Sequence, residues 1–168
     1  MLKNGDIILF GGSQGFMGKT IRFFDKCIYT HIGIVYFIEN KPFLLDMWTK
    51  GIELVPVHKR QKIYPKTAIL RDSESFEYEK TSCIESILDE WVFQGNLPYD
   101  YGLLPRIAIA KRLGLDILAW GKNKAYICSE LVKEFYASSF TDAYDKIELI
   151  TPQDFIRFKP NHFELIEL

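Results

Sequence analysis

Apolar and turn residues alternate in short blocks from Asp6 to Arg71. DIILF (6–10) reads as a short buried strand. HIGIVYFI (31–38), rich in β-branched and aromatic residues, reads as a second. After the turn ENKP comes PFLLDMW (42–48), and after the tight turn TKG comes IELVPV (52–57), ending near Pro56. TAILR (67–71) reads as one more strand. The connections from 31 to 57 are too short to hold a helix. They predict an antiparallel meander, because a parallel neighbour needs a crossover of a dozen or more residues. Before the meander, GFMGKTIRFFDKCIY (15–29) spaces Phe16, Ile21, Phe24 and Ile28 in a loose helical pattern.

The second half changes period. SFEYEKTSCIESILDEWVFQG (75–95) is helical through Cys83, Ile87, Leu88 and Trp91, with Gly95 as a stop. LPYDYG reads as a loop, and LLPRIAIAKRLGLDILAWG (103–121) as one or two short apolar helices. AYICSELVKEFYASS (125–139) places Ile127, Leu131 and Phe135 on one helical face. TPQDFIRF (151–158) opens another helix, with Pro152 at an early position, and HFELIEL closes as an edge strand. Strands first and helices afterwards predict an α+β fold, taken as a single domain over 1–168.

Composition narrows the function classes. With 48% hydrophobic residues a sizeable core is available, and a net charge of −1 does not single out nucleic acid or an anionic membrane as partner. The N-terminal run is too short for a signal peptide, and no apolar stretch approaches a bilayer span, so a cytoplasmic location is expected. The three cysteines, Cys27, Cys83 and Cys128, are odd in number and widely spaced, which is not a disulfide framework. No His, Cys or acidic pair has metal-site spacing. Cys27 and His31 are four apart, but a helix-to-strand break separates them. No cofactor is expected.

IILFGGSQGFMGKT (7–20) resembles a strand entering a phosphate-binding loop. The Walker spacing needs Gly at 13, where Ser13 stands, and Gly12 is one position early. FLLD (43–46) could mimic the Mg²⁺-binding strand of such a fold. An antiparallel meander is incompatible with that fold, so Lys19 reads as a surface charge.

Another constellation is chemically stronger. Cys128 begins a helix, where unpaired backbone N–H groups and the helix dipole favour a thiolate and can hold an oxyanion. His31 opens a strand and shares a face with Gly33 and Val35. Asp46 lies on the neighbouring strand. Pairing about Asn40–Pro42 would set residue 36 opposite 46, or 31 opposite 46 in a wide or bulged hairpin. A carboxylate bonded to one imidazole nitrogen fixes the tautomer and leaves the other as base. For each residue a plainer role exists: a core cysteine, a structural histidine, a solvated acid. His58, in the basic loop HKRQK, and His162, in a polar turn, read as surface residues.

Taken in order, GDIILF, THIGIVY, FLLDMWTKGIELVPV, LPYDYG, YICSELVKEFY and TPQDF resemble the circularly permuted NlpC-type papain-like family, with its YiiX-like bacterial members and a related poxvirus protein. The resemblance implies a papain-like sheet packed on the helix of a nucleophilic Cys128, with His31 as base and Asp46 as third polar residue. Tyr99 matches the family tyrosine near the nucleophile, and with the Cys128 backbone N–H it would stabilise the oxyanion. Ile127 stands where non-permuted members have Asp, Glu130 where they have Gly, and Asp46 where permuted relatives more often have Glu. The implied function is a cysteine-dependent hydrolase of small peptides or amides, acting through a thioester. A lipid ester or amide hydrolase, or an acyltransferase, is the alternative within the fold. A non-catalytic binding module is the alternative outside catalysis.

Overall fold

The computed structural model describes residues 1–12, 28–48, 50–74, 77–92, 127–137 and 151–167. The expected helix over 15–29, the LPYDYG loop with Tyr99, and the apolar segment 103–121 lie outside the described residues, apart from Ile28 and Tyr29.

All the expected strands form. They are β1 (Ile7–Gly11), β2 (Tyr29–Ile38), β3 (Lys41–Trp48), β4 (Gly51–Pro56), β5 (Lys66–Asp72) and β6 (Phe163–Glu167). They make one sheet in the order β4-β3-β2-β1-β5-β6, with every neighbouring pair antiparallel. The closing segment is an edge strand, as its position and alternation suggested. Among the described residues four helical stretches accompany the sheet: α1 (Val57–Gln61), α2 (Glu77–Ile87), α3 (Cys128–Ala137) and α4 (Pro152–Arg157). α2 runs on into a π-helical turn, Leu88–Val92. Pro152 takes an early position in α4, where its missing N–H costs no helix bond, and Thr151 N–H donates to Asp154 at 2.8 Å.

α1 corrects an expectation. HKRQK was read as a surface loop, but Val57–Gln61 is a helical turn and a half. Val57 and Arg60, three residues apart, therefore share a side and are both buried, while His58 is exposed.

Period-two alternation sends side chains to both faces of the sheet, and each face has its own cover. Ile7, Leu9, Ile32, Ile34, Leu45 and Met47 face Ile84 of α2, Leu131, Val132 and Phe135 of α3, and Phe155 of α4. On the other face Ile8, Phe10, Val35 and Leu44 pack with Val57 and Tyr64. His31 and Asp46 belong to this second, more thinly covered face.

Candidate active site

The β2–β3 hairpin sets the distance between the two polar residues. Ile38 pairs with Lys41, so Glu39 and Asn40 make a two-residue turn, both with positive φ (48° and 63°). This turn is tighter than the one centred on Asn40–Pro42, and it corrects the expected register. Tyr36 faces Phe43, and Asp46 faces Gly33. His31 is then the diagonal neighbour of Asp46, two residues along on the same face. A diagonal gap is within reach of a long side chain. Gly33 keeps that diagonal open: a Cβ there would lie 2.8 Å from Leu44 Cγ and 2.9 Å from Asp46 Cβ.

A bulge fixes the other end. Phe10 pairs with His31 but Gly11 pairs with Tyr29, so Thr30 is an extra residue immediately before the histidine. Such bulges re-aim the side chains beside them. Tyr29 accordingly packs in the helix-covered core while His31 points to the opposite face.

His31 Nε2 lies 2.7 Å from Asp46 Oδ2. That leaves Nδ1 free of Asp46, and Cys128, the third residue, is near enough to bear on the imidazole electrostatically. The three side chains are nearly closed to solvent, at 3% exposure for His31, 0% for Asp46 and 3% for Cys128. Burial by itself would push the imidazole toward neutrality. The negative charge at Cys128 and the hydrogen bonds to Asp46 and Cys128 outweigh it, and the pKa is raised to about 9. Burial likewise favours a neutral Asp46, but His31 and Arg60 hold its carboxyl below the usual range.

Cys128 is the first residue of α3, where backbone N–H groups lack partners one turn back. Glu130 reaches back to the Ile127 N–H at 2.8 Å, closing one of these donors. This gives the Glu at that position a physical role. α3 packs through Leu131, Val132 and Phe135 across the centre of the sheet, and so delivers its first turn to the His31 end of β2.

Four residues of the site escaped sequence reasoning. Arg60 donates from Nε to Asp46 Oδ2 at 2.7 Å and from NH2 to Asp46 Oδ1 at 3.1 Å, and its NH2 also meets Glu53 Oε2 at 3.2 Å. Trp48 lies under the guanidinium at 4.0 Å and meets His31 edge-on. Tyr64 stacks parallel to the imidazole, with centroids 5.5 Å apart and planes 9° apart. Phe10 closes a further side at 5.9 Å. Trp48, two residues beyond Asp46 on the same face, is the one that strand alternation could have placed. Tyr99 lies outside the described residues. Cys83, half-buried on α2, hydrogen-bonds the Phe135 carbonyl and stands apart from this cluster.

No protein-family model and no curated protein matches the sequence. Among solved structures, the chain is similar to the crystal structure of the metalloprotein YiiX from Escherichia coli O157:H7, a DUF1105 protein. The TM-score is 0.70 at 15% identity, over 98% of this chain and 96% of that one. The chain therefore has a YiiX-like α+β fold with an antiparallel sheet of six strands. Among the described residues, no helix is long and apolar enough to cross a membrane.

Proposed function

We propose that the protein is a cysteine-dependent hydrolase of small peptides or amides, with Cys128 as nucleophile, His31 as base and acid, and Asp46 as the residue that orients His31. The observation that carries this reading is one imidazole held between a buried carboxylate at 2.7 Å and a thiol at a helix start. The resemblance of the sequence to the circularly permuted NlpC-type papain-like family supports the same roles.

The steps follow from the geometry. His31 takes the Cys128 proton, giving a thiolate–imidazolium pair. The sulfur attacks the substrate carbonyl carbon, and the carbonyl electrons collect on oxygen near the N–H groups of the α3 first turn. Collapse of this adduct expels the leaving nitrogen, which takes the proton from His31, and a thioester remains on Cys128. Water gives a proton to the now neutral His31 and attacks the thioester, releasing the acid and restoring the pair. An amine leaves only when protonated, and His31, protonated by Cys128, is placed to supply that proton.

YiiX is described as a metalloprotein, and a metal here would need free donors among these side chains. Both Asp46 oxygens accept from Arg60 and one also from His31, which leaves His31 Nδ1 and the Cys128 sulfur. Catalytic zinc takes three protein ligands, and among the described residues no group of three or more His, Cys, Asp or Glu could hold an ion. The described residues do not form a three-ligand site, and no step is routed through a metal.

The test is hydrolysis of a panel of peptides, simple amides and lipid esters, comparing wild type with Cys128→Ala. Cys128→Ala should abolish turnover of at least one amide, by about a thousandfold or more. Turnover that survives in Cys128→Ala would sink the proposal, and turnover confined to lipid esters would move it to the lipid alternative.

A further inference from the structure

Asp46 is completely buried, yet it carries two cationic partners where a His–carboxylate pair needs one. We propose that Arg60 is a positioning residue for the reaction: its two-pronged grip fixes the Asp46 carboxylate and supplies the counter-charge that Asp46 lacks whenever His31 is neutral. The inference rests on the catalytic reading above and extends it to a residue outside the Cys–His–Asp set.

The argument follows the charges through the cycle. In the thiolate–imidazolium state of the proposed cycle the groups alternate in sign from Glu53 through Arg60, Asp46 and His31 to Cys128. Once His31 has given its proton to the leaving group and Cys128 is acylated, the last two charges vanish together. Without Arg60, the fully buried Asp46 would then be a solitary anion, which is strongly disfavoured. It would oppose loss of the His31 proton and make His31 a poor acid. Arg60 removes that opposition, because its bonds to both carboxylate oxygens do not depend on the state of His31.

The setting of Arg60 fits the role. It is 5% exposed, stands on α1 with no carboxylate of that helix beside it, and is held from below by the Trp48 ring. Glu53 of β4, itself partly exposed, touches only the outer NH2. The charged and titratable groups bearing on the His31–Asp46 pair are Arg60 from α1, Glu53 from β4, Cys128 from α3 and Tyr64 from the α1–β5 connection.

Alkylation of Cys128 by iodoacetate, followed against pH, tests this without a known substrate. The anionic reagent is drawn to a thiolate beside an imidazolium, so the rate traces a bell whose alkaline limb reports loss of the His31 proton. In Arg60→Met the uncompensated carboxylate should hold that proton longer and move the alkaline limb up by about one pH unit. Arg60→Lys, which keeps the charge, should return the limb most of the way. Glu53→Gln should move it the other way by a few tenths of a unit, since Arg60 then acts on Asp46 undivided. This mild surface variant carries the test if Arg60→Met does not fold. An alkaline limb unmoved in Arg60→Met, or in Glu53→Gln where that is the variant that folds, overturns the proposal while leaving the catalytic reading intact. A wild-type profile indifferent to His31→Ala overturns both.

Discussion

Among the described residues, two buried aspartates are each held by a two-pronged arginine, one near each end of β1. Asp6 accepts from Arg71 Nε at 2.8 Å and NH2 at 2.7 Å, much as Asp46 accepts from Arg60. The third donor differs. Asp6 takes the backbone N–H of Lys3 at 2.7 Å, and Arg71 also reaches the Met1 carbonyl, so this clamp ties the first residues to β1 and β5. Nearby, Lys80 of α2 donates to the Asp72 carbonyl at 2.7 Å and extends the tie to the first long helix. Asp46 instead takes an imidazole that continues to a thiol. The same ion pair thus anchors backbone at one end and is linked to a buried imidazole beside a thiol at the other. A buried salt bridge by its presence alone does not mark a site; the group on its far side does.

Neutralising each carboxylate in turn should separate the two roles most sharply. Asp46→Asn leaves His31 without its orienting anion, and His31-dependent reactivity or turnover should fall by about a thousandfold. Arg60 keeps Glu53, which limits the loss of stability. Asp6→Asn should do the reverse, lowering stability to denaturant by about 3 kcal/mol as a buried pair is broken, while the iodoacetate profile of Cys128 stays that of wild type. Equal losses of reactivity in both variants would erase the distinction.

The pH dependence of stability gives a second, smaller contrast. His31 is raised from 6.5 to about 9 in the folded chain. A group raised in this way contributes stability that is complete below the unfolded value and is lost as pH rises through about 9, on the order of 3 kcal/mol. Because charge at Cys128 is among the causes, Cys128→Ala should flatten that decline. Lys80 has the opposite sign: burial holds its pKa down, so its contribution improves as pH climbs toward the ordinary lysine range. Denaturant midpoints measured across the alkaline range for wild type, Cys128→Ala and Lys80→Met would resolve the two. An identical slope in wild type and Cys128→Ala would mean that the thiol does not bear on His31.

What could be read in advance follows from how far each interaction reaches along the chain. Strand positions rest on local alternation and short turns, and all the expected strands form. His31, Asp46 and Cys128 stood out because their residue types are uncommon in such settings, and the structure brings them together. The register was read wrongly because Pro42 looked like part of the turn. It lies in β3, and the turn is made by Glu39 and Asn40, of which only Asn commonly adopts positive φ. Arg60 was hidden among Lys59, Lys62 and His58, whose charges look alike in sequence. Only the helical turn of α1 separates the arginine that faces Asp46 from neighbours that face water. Tyr64 was missed for a related reason: its partner His31 lies 33 positions away, and no periodic pattern links a connection to a distant strand.

Tyr64 offers the finest division of the site. Its ring stacks on both His31 and Phe10, and burial together with the nearby charge of Cys128 pushes the phenol above its ordinary pKa. The hydroxyl therefore stays protonated across the working range and is available as a donor, whereas the ring shields His31 from water. Tyr64→Phe keeps the ring and removes the donor. If shielding is the main role, kcat/KM should fall by less than about tenfold and the alkaline limb should move by only a few tenths of a pH unit. Tyr64→Ala, which opens the imidazole to solvent, should then be the more damaging change and should lower the limb, because water screens the anions that hold the His31 proton. A loss near a hundredfold in Tyr64→Phe, comparable to removing an oxyanion donor, would instead place the phenol against the developing negative charge. It would give Tyr64 the role that the sequence resemblance assigns to Tyr99.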